Sequence, residues 1–411
     1  MAVAPNPTPP AVAVSSTPGT PRVPVWPEVV DAIGLPVLAL AGAVLLFGGF
    51  VWLGGTDPVE TWVLLFQGAF GDAFSWQNTL QRAAPLMLTA LCVALPQRAG
   101  LMVIGGEGAL VLGGLACAAL PLMMPLPAGA AGTALALLAA ALMGAAWIAL
   151  AGVLRQYRGV NETIGSLLMS YMAIGLFKHA VEGPLRDPAS LNKPSTLPLP
   201  EGNLLGLLPG MEVHWGLVWG VVACVLSALW LFGSTHGFAT RVVGGNARAA
   251  RLVGLPSHRL IITACALGGA CAGLAGGIEV AAVHTAANAS LIVGLGYTGI
   301  LVSFVARHNP VAIVPVAVLF GGFGSAGSLL QRRLDLPDAS VMVLQGFAFV
   351  LILAAEAGRG KLSAWQQARV AQQTAGPVAT APHETSRMRL ARERAERLAT
   401  RLAEAARRHA A

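Results

Sequence analysis

Residues 129–153 read GAAGTALALLAAALMGAAWIALAGV, a run without a single charged side chain, followed at once by Arg155 and Arg158. Coiled as a helix, a run of this length extends about 37 Å, more than the roughly 30 Å of a bilayer's hydrocarbon core. Similar apolar windows recur on both sides of it. Taken with their breakers, they predict spans near 34–54, 80–97, 101–122, 129–153, 160–181, 213–233, 259–282, 289–306, 310–330 and 338–356. The expected fold is therefore all-α: a polytopic membrane bundle of about ten transmembrane helices in two five-helix halves.

Composition agrees. Of 411 residues, 55% are hydrophobic and 11% charged, against about 25% charged in soluble domains. The net charge of +7 collects largely in residues 387–408, where eight arginines face three glutamates. The body of the chain carries no basic groove interleaved with aromatics, so nucleic acid is not an expected partner. Arginines in short loops favour the cytoplasm. Arg98, Arg155, Arg158, Arg241, Arg248, Arg251 and Arg307 fall in loops of one side, whereas Arg186, Lys193, Arg332 and Arg333 fall on the other. Both termini are thus expected in the cytoplasm. Residues 1–33 read as a disordered tail, 34–356 as the transmembrane domain, and 357–411 as a linker with a basic helical tail suited to an anionic membrane surface or a partner helix. Residues 57–78, with Trp62, Phe66, Phe70 and Trp76, read as an amphipathic stretch lying in the interface. The Pro-rich insert 182–212 is expected outside, as a cap over the pore, a contact for a binding protein or a solvated linker between the halves.

Cys92, Cys117, Cys224, Cys265 and Cys271 sit in apolar windows without metal-ligand spacing, and read as small core residues. No metal or cofactor is expected. The sequence Gly294-Leu-Gly296-Tyr-Thr-Gly299 matches a dinucleotide fingerprint but lacks a preceding strand, so helix packing is its reading. Gly269, Gly273 and Gly277, every fourth residue, suit close helix contact in lipid.

Polar groups at membrane depth are costly, about 2.5–3.5 kcal/mol for a central charge on insertion scales, and mark functional sites. Glu107, among Gly105, Gly106 and Gly108, either lines a cavity at a weakened helix or caps a helix N-terminus. Asn161 and Glu162 open the fifth span, where Asn161 also suits a cap. Glu279 lies late in the seventh span, within reach of the outer interface, and Gln345 lies midway along the tenth, where it either lines a path or bonds a neighbouring helix. All five are candidates for a solute pathway. In the loop 236–258, Asn246 can cap a short helix over 247–253 that Gly254 ends. Arg248 and Arg251 then flank an Ala249-Ala250 face, which suits docking to another protein.

Four segments resemble the permease subunits of ATP-binding-cassette (ABC) importers of the branched-chain amino acid and simple-sugar class, nearest to the nucleoside-type permeases associated with basic membrane proteins. They are GLMVIGGEG (100–108), GVNETIGSLLMSYMA (159–173), RVVGGNARAARLVGL (241–255) and LQGFAFVLILA (344–354). Val103 and Ser170 stand where that family usually carries asparagine. The resemblance implies an importer subunit in the bacterial cytoplasmic membrane rather than an enzyme. It also implies two permease subunits, same or related, around the path, with ABC ATPases docked below on the coupling helices and an extracytoplasmic solute-binding protein above. An ion-gradient-driven secondary transporter is the alternative; it would not require a docking helix. A membrane-embedded enzyme is disfavoured, because His179, His284 and His308 fall on different spans without partners.

Overall fold

In the computed structural model the described residues are 34–374, apart from Leu191 and Asp338, and Arg394. The tail 1–33 and the basic segment 387–408, save Arg394, lie outside them. By contacts the chain divides into units 1–356 and 357–411. The described helices are α1 (Leu35–Leu53), α2 (Pro58–Phe70), α3 (Ala73–Arg98), α4 (Gly106–Met123), α5 (Ala130–Arg158), α6 (Glu162–Glu182), α7 (Gly216–Gly233), α8 (Thr235–Gly245), α9 (Ala247–Leu252), α10 (Ser257–Ile278), α11 (Leu295–Val305), α12 (Pro310–Leu334) and α13 (Ala339–Thr374). Eight of them are long and apolar enough to cross a membrane, and two shorter apolar segments, Val37–Leu53 and Ala289–Val305, occupy two further predicted windows. The fold is the all-α polytopic bundle that hydropathy predicts.

Several boundaries differ from expectation for physical reasons. Residues 57–78 form two helices, because Asp57 and Asp72 each cap a new start: Asp57 accepts from Val59 N and Asp72 from Ser75 N. The loop 236–258 holds a second helix, α8, whose start is capped by Ser234. The spans predicted at 101–122 and 289–306 are both broken. Residues 101–104 are non-helical, with helix resuming at Gly106, and α11 begins only at Leu295.

The two sequence halves interlock in space. The most extensive helix contact joins α10 to α5, and further large contacts join α12 to α3 and α10 to α4. Glycine permits this approach. A Cβ on Gly273 would meet the Ala140 carbonyl and stand 3.0 Å from Gly144 Cα; one on Gly269 would meet the Gly144 carbonyl, and one on Gly277 would stand 2.7 Å from Ala140 Cβ. Without hydrophobic drive between helices in lipid, such contact supplies the packing energy. Phe47, Phe320 and Leu344 centre one core cluster, Leu110, Phe177 and Ile278 a second, and Ile148, Ala250 and Ile261 a third.

The loops sort by end. At one end Arg98 Nε donates to the His308 carbonyl at 3.0 Å, and residues 99–101, 155–156, 243–247 and 257–258 share one pocket. At the insert end, 182–212 is strapped down by backbone bonds from Thr196 N to Ala287 O, Leu199 N to Thr285 O and Leu205 N to Ala281 O, each 2.8–3.0 Å. Glu201–Asn203 forms a single 3-10 turn there, directly after Pro200.

Candidate functional site

The two broken spans meet. The eleven residues of α11 extend about 16 Å, half the hydrocarbon depth, from near Arg307 inward. Its first turn therefore lies in the interior, where backbone N–H groups have no water to bond. Glu107 satisfies them: Oε1 accepts from Gly294 N at 2.9 Å and Oε2 from Gly296 N at 2.6 Å. Glu107 is 1% exposed and belongs to the first turn of α4, so one carboxylate stands between the positive ends of two helix dipoles. Of its two readings, the cap is the one this geometry displays, on α11 rather than on its own helix. Gly294, at φ +82, makes the left-handed turn into α11. Gly296 has no room for a side chain, since a Cβ there would strike Glu107 N.

The non-helical stretch before α4 has its own support. On α6, Thr163 Oγ1 donates to Met102 O at 3.0 Å, while Ser166 Oγ accepts from Ile104 N at 3.0 Å and Ser170 Oγ from Gly108 N at 3.2 Å. These three hydroxyls, at i, i+3 and i+7 of an apolar helix, share one face. The sequence reading missed them, although hydroxyls at that spacing were the signal. Both atypical positions of the resembling motifs are buried: Val103 in the core and Ser170 against α4.

Beside the meeting point lies a cavity of about 360 Å³, lined by Ile104, Tyr297, Thr298, Gln345 and Phe349 among others. Thr298 Oγ1 donates to Gln345 Oε1 at 3.2 Å. Polar groups from α11 and α13 thus converge in an otherwise apolar space, the usual make-up of a small-molecule site. Tyr297 and Thr298 went unremarked in the sequence because they lie inside the glycine pattern assigned to packing.

The other predicted pathway residues lie elsewhere. Asn161 caps α6, accepting from Thr163 N and Ile164 N. Glu162 pairs with Arg155 at 3.2 Å, at the arginine-rich end. Glu279, 9% exposed, lies 3.6 Å from His284 in a π turn beneath the insert. The structure brings none of these three to Gln345. Their places in the chain explain this: Glu162 opens α6 beside Arg155, and Glu279 follows α10 in the π turn.

At the arginine-rich end Asn246 Oδ1 accepts from Arg248 N and Ala249 N, both at 3.0 Å, and Gly254 (φ +82) follows α9. One expectation is corrected. Ala250 is 0% exposed and packs inward on the third core cluster, which also holds Val243 of α8 and Ile261 of α10. The outward face is Arg248, Ala249 and Arg251 with Leu252 and Val253, which are 89% and 74% exposed.

Residues 75–353 match the family model described as the permease component of branched-chain amino acid transport systems. The chain belongs to that family. It is 32% identical to a glucose ABC transporter permease of Haloferax volcanii over 81% of this chain and 89% of the relative. It is 27% identical to a guanosine ABC transporter permease of Bacillus subtilis, over 79% and 94%, and 26% identical to a nucleoside ABC transporter permease of Lactococcus lactis, over 70% and 81%. This permease is accordingly a membrane-spanning subunit of an ABC transporter rather than an enzyme, which sets aside the secondary-transporter alternative. ATP hydrolysis belongs to partner ATPases.

Proposed function

We propose that this permease carries a nucleoside or simple sugar inward, along a path that passes the Tyr297–Thr298–Gln345 cavity. The observation that carries this reading is the Thr298–Gln345 pair, set at a broken helix in a space of about 360 Å³. A ring bearing several hydroxyls matches such a mixture of aromatic, hydroxyl and amide groups. The names of the relatives support the same substrate class. Glu107 is then a positioning residue that fixes α11, and Glu279 lies at the outer mouth. Asn161 and Glu162 shape the cytoplasmic end.

The arginine-rich end faces the cytoplasm of the bacterial inner membrane in this reading, both termini included. The exposed face of α9 docks a partner ATPase, and the insert 182–212 receives an extracytoplasmic binding protein. A second permease, same or related, covers the cavity side, where Tyr171, Met172 and Leu176 of α6 stand 51–61% exposed. ATP-driven motion in the ATPases shifts the pair between inward and outward states.

Uptake of labelled guanosine and glucose by cells expressing the full transporter tests this. Gln345→Leu keeps the side chain's size while removing its amide, and should lower uptake about tenfold or more, since a site built to hydrogen-bond a solute hydroxyl discriminates strongly through it. Uptake unchanged by Gln345→Leu and Thr298→Val together removes the cavity from the path.

A further inference from the structure

A cavity of about 660 Å³ lies at the arginine-rich end between α1, α11 and α12. Its walls are apolar, with Leu40, Val316 and Leu319, and one end carries Arg98, Arg307 and Asn309. Beside it Val37 of α1 and Val311 of α12 are 57% and 62% exposed, so on a membrane-spanning chain the cleft opens sideways onto hydrocarbon. Arg98 donates to the carbonyls of His308 and Arg307, and the charges of Arg241 and Arg307 both act on it. Both of those charges are cationic. Like charges gathered together repel one another, and an anion relieves them.

We propose that the cleft binds one anionic phospholipid of the cytoplasmic leaflet. The phosphate sits at Arg98, Arg307 and Asn309, and an acyl chain lies along Leu40, Val316 and Leu319. The argument is charge complementarity at one end of an apolar trough, at the depth where anionic headgroups lie. It rests on the cytoplasmic placement of the arginine-rich end. Arg98 closes the segment leading to residues 101–104, and Arg307 follows α11, so the lipid braces both broken spans from one end.

Native mass spectrometry of the purified transporter, equilibrated with phosphatidylglycerol and phosphatidylcholine, reads the lipid directly. The intact subunit should retain phosphatidylglycerol in preference. Arg307→Gln should lower that retention about fivefold, the factor for roughly 1 kcal/mol per cation near an anionic surface. Leu319→Trp should lower it with every charge in place, by filling the trough. Equal retention of the two lipids overturns the proposal, as does retention untouched by both variants. Lipid that enters only after residues 1–33 are removed, or only after the second permease is stripped away, identifies a different occupant and also overturns it. Solute uptake, which reads the Gln345 cavity, is measured separately, so failure of one reading is told from failure of the other.

Discussion

Glu107 shows how a charge is accommodated at membrane depth. Two backbone N–H groups and two helix N-termini converge on it, so removing it strands donors where water cannot replace them. Glu107→Gln presents an amide NH₂ to one of those donors, and about 1–3 kcal/mol is expected for each buried group left unpaired. Uptake should fall at least tenfold while Glu107→Asp, which retains the carboxylate, recovers part of it. Equal uptake by the Gln variant and the unchanged chain would show that the cap does not matter. His308 provides a second residue-scale test, outside the spans. Burial, reinforced by the Arg98 charge, lowers its pKa to about 4 from the usual 6.5. The unfolded chain therefore binds the proton more readily, and stability should drain away as pH falls from about 6.5 towards 4. In detergent, the melting temperature of His308→Asn should drop less between pH 7 and pH 5 than that of the unchanged chain. Parallel pH curves would contradict this assignment.

At the element scale, helix contact without side chains is the determining feature. Gly273 meets both α5 and α4: its added Cβ would collide with Ala140 O, and Gly113 approaches its backbone from the other side. Gly273→Leu should force these helices apart and abolish accumulation of the folded subunit in the membrane, whereas Gly49→Leu, which faces open space, should accumulate normally. Normal accumulation of Gly273→Leu with an altered solute preference would sink the packing account. This spacing was visible in the sequence because a four-residue glycine repeat states a helix face directly. The breaks in spans 101–122 and 289–306 were only half visible. Gly105 and Gly106 marked a weak helix, but the bond from Glu107 to Gly294 and Gly296 joins residues far apart in the chain, and no local pattern encodes it. Ala250 fails for a related reason. An alanine in a basic helix reads as a smooth docking face until the inward direction is fixed by α10 and α8.

For the whole molecule, hydropathy determines the class because the bilayer accepts few architectures. It does not determine how the halves interlock, since apolar faces of helices are interchangeable in lipid and glycine contacts select among them. In the proposed function the arginine-rich end, the broken-helix site and the strapped insert are three levels: ATPase side, path and solute-receiving side. What links them is the proposal that a partner's ATP hydrolysis reaches this chain through α9. Leu252→Glu tests it most directly, because it places a charge on the outward face of α9, away from the core that Ala250 supports. In vesicles holding the subunit with its ATPase, second permease and binding protein, solute-stimulated ATP hydrolysis and uptake should both fall at least tenfold, with the subunit still folded in the membrane. Full uptake by Leu252→Glu, or labelling of a cysteine at that position from outside the cell, would contradict the account.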